Sequence, residues 1–406
     1  AWMVMATGRD PGELGLYGFR HRKGYEYNKM WIANSTAVRE KTVWDYLGEQ
    51  GKKSILVGVP PSYPPKPVTG ELVSCFITPS KEKSYTYPEE LRTEIEERFG
   101  PFVFDVVFRT EDRSEVLKEI YQMTENHFQV VDYLLDRQDW SLFWLVEIGV
   151  DRMHHAFWKF MDKNHHLYQP GNPFESAIYD YYQFLDEKIG QLLKKIDQST
   201  AVLVVSDHGA KGMKGAFCVN DWLIEQGDLV ISEPPARGQS IDHLKIDWKR
   251  TRAWGWGGYY ARIFLNVEGR EPQGIIRPDD YETARDELTA RLKAIRGPKG
   301  AEWQTVVIKP QEHYPVVNGD YPDLMVYFDD LYWRSAGTLG YGSLYLEEND
   351  TGPDDAVHDY NGIYILYNPD SPGGKTRPAN ILDIAPTVLQ LLEGPVVSDL
   401  KGKVIS

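Results

Sequence analysis

Two cysteines, Cys75 and Cys218, are all that the 406 residues contain, too few for a disulfide framework and too far apart for a thiolate metal cluster. Both read as small apolar packing groups. Long hydrophobic runs are lacking too: residues 201–206 and 142–146 are strand-length and far short of the roughly 20 residues that span a bilayer. No membrane segment is expected. Positive charge is the minority sign, 45 Lys and Arg against 60 Asp and Glu. The net charge of -15 argues against a nucleic-acid polymer as partner, because such binding depends on a basic surface and released counterions. Small phosphoesters stay open, since bound cations can dominate the field at a site. The chain starts Ala1-Trp2-Met3, without an initiator methionine or the n- and h-regions of a signal peptide. An upstream piece is expected, and the few cysteines favour a cytoplasmic setting.

What is present suffices for a sizeable core, with 42% hydrophobic residues. Apolar, β-branched segments alternate with stretches at helical spacing, the pattern of an α/β fold with a largely parallel sheet. Helices are predicted over residues 44–50, 89–99, 113–137, 173–196, 278–295 and 383–392. Strands are predicted over 54–59, 140–148, 201–206, 305–308, 324–328 and 363–367. Between residues 237 and 300 the texture shifts to Trp248, Trp254 and Trp256, a glycine-rich turn and a charged helix. The expected architecture is an α/β/α sandwich around a mixed, mainly parallel sheet, formed by residues 1–236 and 301–406, with 237–300 inserted as a cap. Neither a heptad seam nor a symmetric signal names an oligomer.

Three short motifs carry chemistry. Asp151 and His155 stand at i and i+4 after a predicted strand, so a helical turn puts both on one face. Carboxylate oxygen and imidazole nitrogen together suit zinc and similar ions. The bland alternative is a capping Asp and a surface His. In Ser206-Asp207-His208-Gly209 a buried strand delivers adjacent acid and imidazole into a turn where Gly209 permits close backbone approach, although Ser, Asp and Gly also make ordinary turns. His358, in Asp354-Asp355-Ala356-Val357-His358-Asp359, lies before another apolar strand and by itself reads equally as a histidine paired with its acidic neighbours.

Together these motifs resemble the alkaline phosphatase superfamily, and most closely its type I phosphodiesterase/nucleotide pyrophosphatase branch. The resemblance extends over Gly58-Val59-Pro60, Asn220-Asp221-Trp222-Leu223, Pro322-Asp323-Leu324 and the segments around the three motifs. It implies two divalent metal ions about 4 Å apart, zinc first and manganese second, with Asp151, His155 and His358 on one ion and Asp207 and His208 contributing to the other. It implies hydrolysis of a small phosphoester, most closely a phosphodiester of nucleotide type. Phosphomonoester hydrolysis or phosphate transfer within one metabolite is the alternative, and a metal-stabilised binding protein the non-enzymatic one. In the family a Thr or Ser nucleophile precedes the segment matching Ala1-Trp2, and a further Asp ligand lies upstream. The resemblance therefore places the nucleophile before Ala1 and leaves the second metal site half-built; without that hydroxyl the covalent phosphoryl-enzyme route is lost. Thr7 matches a later, structural threonine, and its Thr-Gly-x-x-Pro-Gly context reads as a loop entering a turn.

Arg20, His21, Lys211 and Lys214 are candidate substrate contacts, since cations complement phosphate oxygens. His154, His165 and His166 read as packing or surface residues among aromatics. Trp254, Trp256, Tyr259 and Tyr260 suit either stacking on a leaving group or a small core within the insertion.

Overall fold

In the computed structural model, which describes residues 1–406 except 138, 372, 375 and 406, the chain opens with a helix, Trp2–Thr7 (α1), that stops where Gly8 turns left-handed at φ 65. The loop expected at Thr7 is therefore the last residue of a helix. Its hydroxyl donates back to Met3 O at 2.6 Å, and Met5 packs beside Ile384 and Ala385 of the closing helix. Packing overrides the turn-like composition there.

Thr42 and Asp45 form a reciprocal capping box that starts Val43–Glu49 (α2). The strand Lys53–Val57 (β1) runs parallel to Gly70–Val73 (β2) and to Trp140–Leu145 (β4), while Thr86–Tyr87 (β3) adds antiparallel to β2. Asp112 caps the long helix Arg113–Leu135 (α3) by accepting from Glu115 N at 3.1 Å. Helix Gly149–Met161 (α4) follows β4 and packs through Met153 and Phe157 against Ile178 and Tyr181 of Ala177–Leu193 (α5). Strand Val202–Val205 (β5) leads through a turn into Gly209–Gly212 (β6).

Among the described residues β4 pairs only with β1, and β5 only with the antiparallel Tyr364–Tyr367 (β12). The central sheet thus stands in two pieces. The facing sides of β4 and β5 line a cavity of about 2420 Å³, with Leu142, Trp144, Leu203 and Val205 on its wall. Both strands are only half-buried.

The cap builds its own antiparallel sheet, in the order Ala253–Trp256 (β7), Ala261–Leu265 (β8), Leu324–Tyr327 (β10), Val306–Ile308 (β9). Helix Tyr281–Lys293 (α6) packs its buried Ala284, Leu288 and Leu292 into the same core as Trp254, Ile263 and Val326. The boundary expected at residue 300 falls inside this unit, because the register Ala261↔Val326 joins the insertion to strands beyond it. The strand Ala356–Asp359 (β11) pairs with β6, and Ile384–Leu391 (α7) closes the chain on α1 and α2. Among the described residues no helix is long and apolar enough to cross a membrane.

Candidate metal centre

Three residues separate the end of β4 from the start of α4. Glu147 Oε1 accepts the Gly149 N–H at 2.8 Å, and a Cβ on Gly149 would lie 2.0 Å from the Tyr181 hydroxyl, so only glycine fits this tight entry. The helical register then stacks Asp151 under His155, with Oδ1 to Nε2 at 3.4 Å.

His358 arrives from the other side. It lies ahead of β12, as expected, and is itself within β11, opposite Ala210, with Asp359 opposite Gly209. That register brings it to the Asp207-His208 turn, where the His208 and His358 rings stack with centroids 3.7 Å apart. A Cβ on Gly209 would meet Asn361 O at 2.0 Å, the close approach its motif anticipates. His358 Nε2 is 4.0 Å from Asp151 Oδ1. One ligand atom each from Asp151, His155 and His358 falls within 4.8 Å of the others.

Burial alone would push the Asp151 carboxyl up, but His155, Arg152 and His358 hold it well below its ordinary range. Burial lowers the His358 imidazole, and the neighbouring His208 and His155 add to this. Burial raises Asp207, which also feels Asp151, while His208 opposes. The amino group of Ala1 is close enough to Asp207 for the two charges to interact. Asp151, His155 and His358 therefore lie together with His208 and Asp207 beside them, and carboxylate and imidazole donors in one cluster are the types a divalent ion takes.

A ring of residues around the ligands went unread in the sequence. His155 Nδ1 donates to Asp354 Oδ1 at 2.7 Å and lies 3.1 Å from Ala356 O, so Nε2 is the nitrogen left for an ion. Asp354 is fully buried and also receives Arg109 at 2.9 Å and Arg334. Burial would raise its carboxyl, but His155, Arg334 and Arg109 hold it low. Asp355 beside it is also buried, and burial pushes it up to about 7. Arg152 spans Asp151 at 2.6 Å and Asp105 at 2.6 and 2.7 Å. Tyr259, read as a stacking or core aromatic, puts its hydroxyl 3.0 Å from His155 Nε2 and its ring 3.8 Å from that of His358. The available signal for Asp354 was its place four residues before His358, masked because acids beside a histidine read as solvent-facing.

Of the four basic candidates, Arg20 lines the cavity that holds Asp151 and His358. His21 is buried, its Nε2 2.8 Å from Gly18 O and its ring stacked on Trp31. Lys211 lies 3.3 Å from Asp330 and Lys214 3.0 Å from Asp329, both over the Tyr332 ring. His154 meets the Tyr182 hydroxyl at 3.1 Å, and burial pulls its pKa down to about 4. His165 Nε2 donates to Asp355 O at 3.1 Å and His166 Nε2 to Glu347 O at 2.9 Å, both structural contacts.

The family model described as type I phosphodiesterase / nucleotide pyrophosphatase matches residues 1–354. No curated protein sequence matches the chain. Among solved structures, phosphonoacetate hydrolase from Sinorhizobium meliloti 1021, in complex with phosphonoacetate, superposes with a TM-score of 0.54 at 15% identity, covering 96% of this chain and 83% of that one. Murine ectonucleotide pyrophosphatase / phosphodiesterase 5 gives 0.51 at 13% identity, over 98% and 83% of the two chains. The alkaline phosphatase PafA gives 0.55 at 13% identity, over 100% and 88%. These likenesses establish the fold, a mixed α/β sandwich with a mainly parallel central sheet.

Proposed function

Because the chain belongs to the type I phosphodiesterase / nucleotide pyrophosphatase family, we propose that it serves as a phosphoester hydrolase dependent on two divalent ions, with small phosphodiesters of nucleotide type as substrates. The observation that carries this reading is the convergence of Asp151, His155 and His358 beside Asp207 and His208. In it, Asp151, His155 and His358 hold one ion and Asp207 and His208 contribute to the other, with zinc first and manganese second. When bound, such ions polarise phosphoryl oxygens and stabilise charge on the attacking and leaving oxygens.

The chain's own residues supply position and charge. Asp354 fixes the His155 tautomer and ring, so that Nε2 faces Asp151. Asp105 keeps Arg152 bidentate, which steadies Asp151 without claiming both of its oxygens.

The test pairs metal content with turnover. Elemental analysis of the metal-loaded chain is expected to find bound zinc or manganese that Asp151→Ala and His358→Ala release. Hydrolysis of bis(4-nitrophenyl) phosphate by the metal-loaded protein should fall by more than about 100-fold in the same variants, beyond the usual loss of an outer partner. Ion retention in both variants would overturn the ligand assignment. Faster turnover of 4-nitrophenyl phosphate than of the diester would move the reading to a phosphomonoesterase.

A further inference from the structure

Arg22, Arg113, Arg152, Arg285 and Arg334 are buried, and each reaches a carboxylate within 4.0 Å. Arg262 is equally buried, at 9% exposure, and among the described residues it reaches none. Its guanidinium donates from Nη1 to Arg20 O and from Nη2 to Gly257 O at 3.2 Å, and it lies over the Trp256 ring at 5.6 Å. Two carbonyls satisfy part of a five-donor fork and none of its charge. Burial lowers its pKa, the Tyr260 hydroxyl opposes this, and Arg20, of the same sign, adds to the lowering. A desolvated guanidinium without a counter-ion is costly to keep, and no acid among the described residues supplies one.

The place of Arg262 says where that partner comes from. Arg262, Arg20, Tyr260 and Trp256 line the same cavity as Asp151 and His358. Tyr259, three residues earlier, touches His155 and His358, and three residues of extended chain span about 10 Å. The backbone at Gly18 closes in from above: a Cβ there would lie 3.1 Å from the Tyr260 hydroxyl and 3.7 Å from Arg262 Nη1. Arg262 is held by β8, whose other residues are sealed in the cap core, so the fork is fixed rather than free to seek solvent.

We propose that Arg262, with Arg20 beside it, binds an oxyanion on the leaving side of the substrate, so that the preferred phosphoester carries a second anionic group, a carboxylate or a phosphate, a short linker away from the phosphorus. The inference rests on the hydrolase reading and narrows it: the ions hold the reacting phosphoryl group, and Arg262 supplies the charge-assisted, bidentate contact that selects the leaving group. A neutral leaving group leaves the guanidinium unpaired.

The test compares a phenyl phosphoester with the same ester carrying a ring carboxylate, on the metal-loaded chain. The parent is expected to favour the carboxylate ester by about tenfold or more in kcat/KM, and Arg262→Gln to bring that ratio close to one, with partial recovery in Arg262→Lys. A parent ratio near one, or a ratio that survives in Arg262→Gln, overturns the proposal. Calorimetric titration of the metal-free chain with inorganic pyrophosphate separates this from the catalytic reading. Affinity about tenfold weaker in Arg262→Gln supports the subsite even if no ester is turned over, and equal affinity rejects it. Should Arg262→Gln fail to fold, Arg262→Lys and the exposed Arg20→Gln carry the same comparison, each lowering the ester ratio and the pyrophosphate affinity; no change in either rejects the proposal.

Discussion

The cap sheet and the sheet beside the metal centre are packed in opposite ways. In the cap, Trp254 is 1% exposed and Ile263 and Val326 are completely buried, with α6 covering them. Beside the metal centre, β4 and β5 are half-buried along their length, and Val204 is 37% exposed. Yet Asp151, His155, Asp207 and His208 follow the ends of the loosely covered strands, and only His358 comes from β11. Their geometry is held by other means: the glycine-tight entry to α4, the pairing of β6 with β11, and the polar cluster of Asp354, Arg109, Arg334 and His155. Apolar packing stabilises the cap, and directional polar contacts shape the site.

That contrast can be broken most strongly in the cap. Trp254→Ala should cost about 3–5 kcal/mol in urea unfolding, the range for truncating a buried aromatic; a cost below about 1 kcal/mol would show that the cap core is not what holds it. Next comes Asp354→Asn, which leaves the fold in place but loosens His155. Zinc affinity measured by competition with a chelator should fall about 10–100-fold, and an unchanged affinity would remove Asp354 from the account. Leu142→Ala on β4 should cost less than about 1.5 kcal/mol, since its side chain faces the cavity and is only partly covered. A loss as large as that of Trp254→Ala would erase the difference between the two sheets.

The smallest effect is a pH dependence behind α4. His127 Nδ1 lies 2.9 Å from Glu147 Oε2, and Glu147 caps the Gly149 N–H. Burial works to lower the His127 imidazole, but the Glu147 carboxylate prevails and its pKa is raised. The stability from this pair is then fully present below the unfolded-state value of about 6.5 and lost as pH rises through the higher folded-state value. Urea midpoints should decline from pH 6 to pH 9 in the parent and decline less in His127→Gln; parallel slopes would remove the pair as a contributor.

How much of this was readable depended on range. The helices at 43–49, 113–135 and 177–193 follow their apolar periodicity, and Asp151 with His155 follows from helical spacing alone. Thr7 was misread because Thr, Gly and Pro nearby are turn formers, while the burial of Met3 and Met5 was invisible. The cap boundary was misplaced because strand partners 65 or so residues apart leave no local mark. Tyr259 read as a stacking group or as part of a small core, and Arg262 went unread. Only the turn between β7 and β8 sends the first to His155 and His358 and leaves the second without a counter-ion among the described residues.

By itself the sequence determined the candidate ligand residues, their local pairings and the alternation of strands and helices, since each rests on spacings of a few residues that backbone geometry imposes. Tertiary structure alone decided that Asp354 orients His155, 199 residues earlier in the chain, that His358 stacks on His208, and that Arg262 is buried with no acid beside it among the described residues. Contact between distant segments is set by how whole elements pack, and the charge around a side chain is known only once its neighbours have been placed.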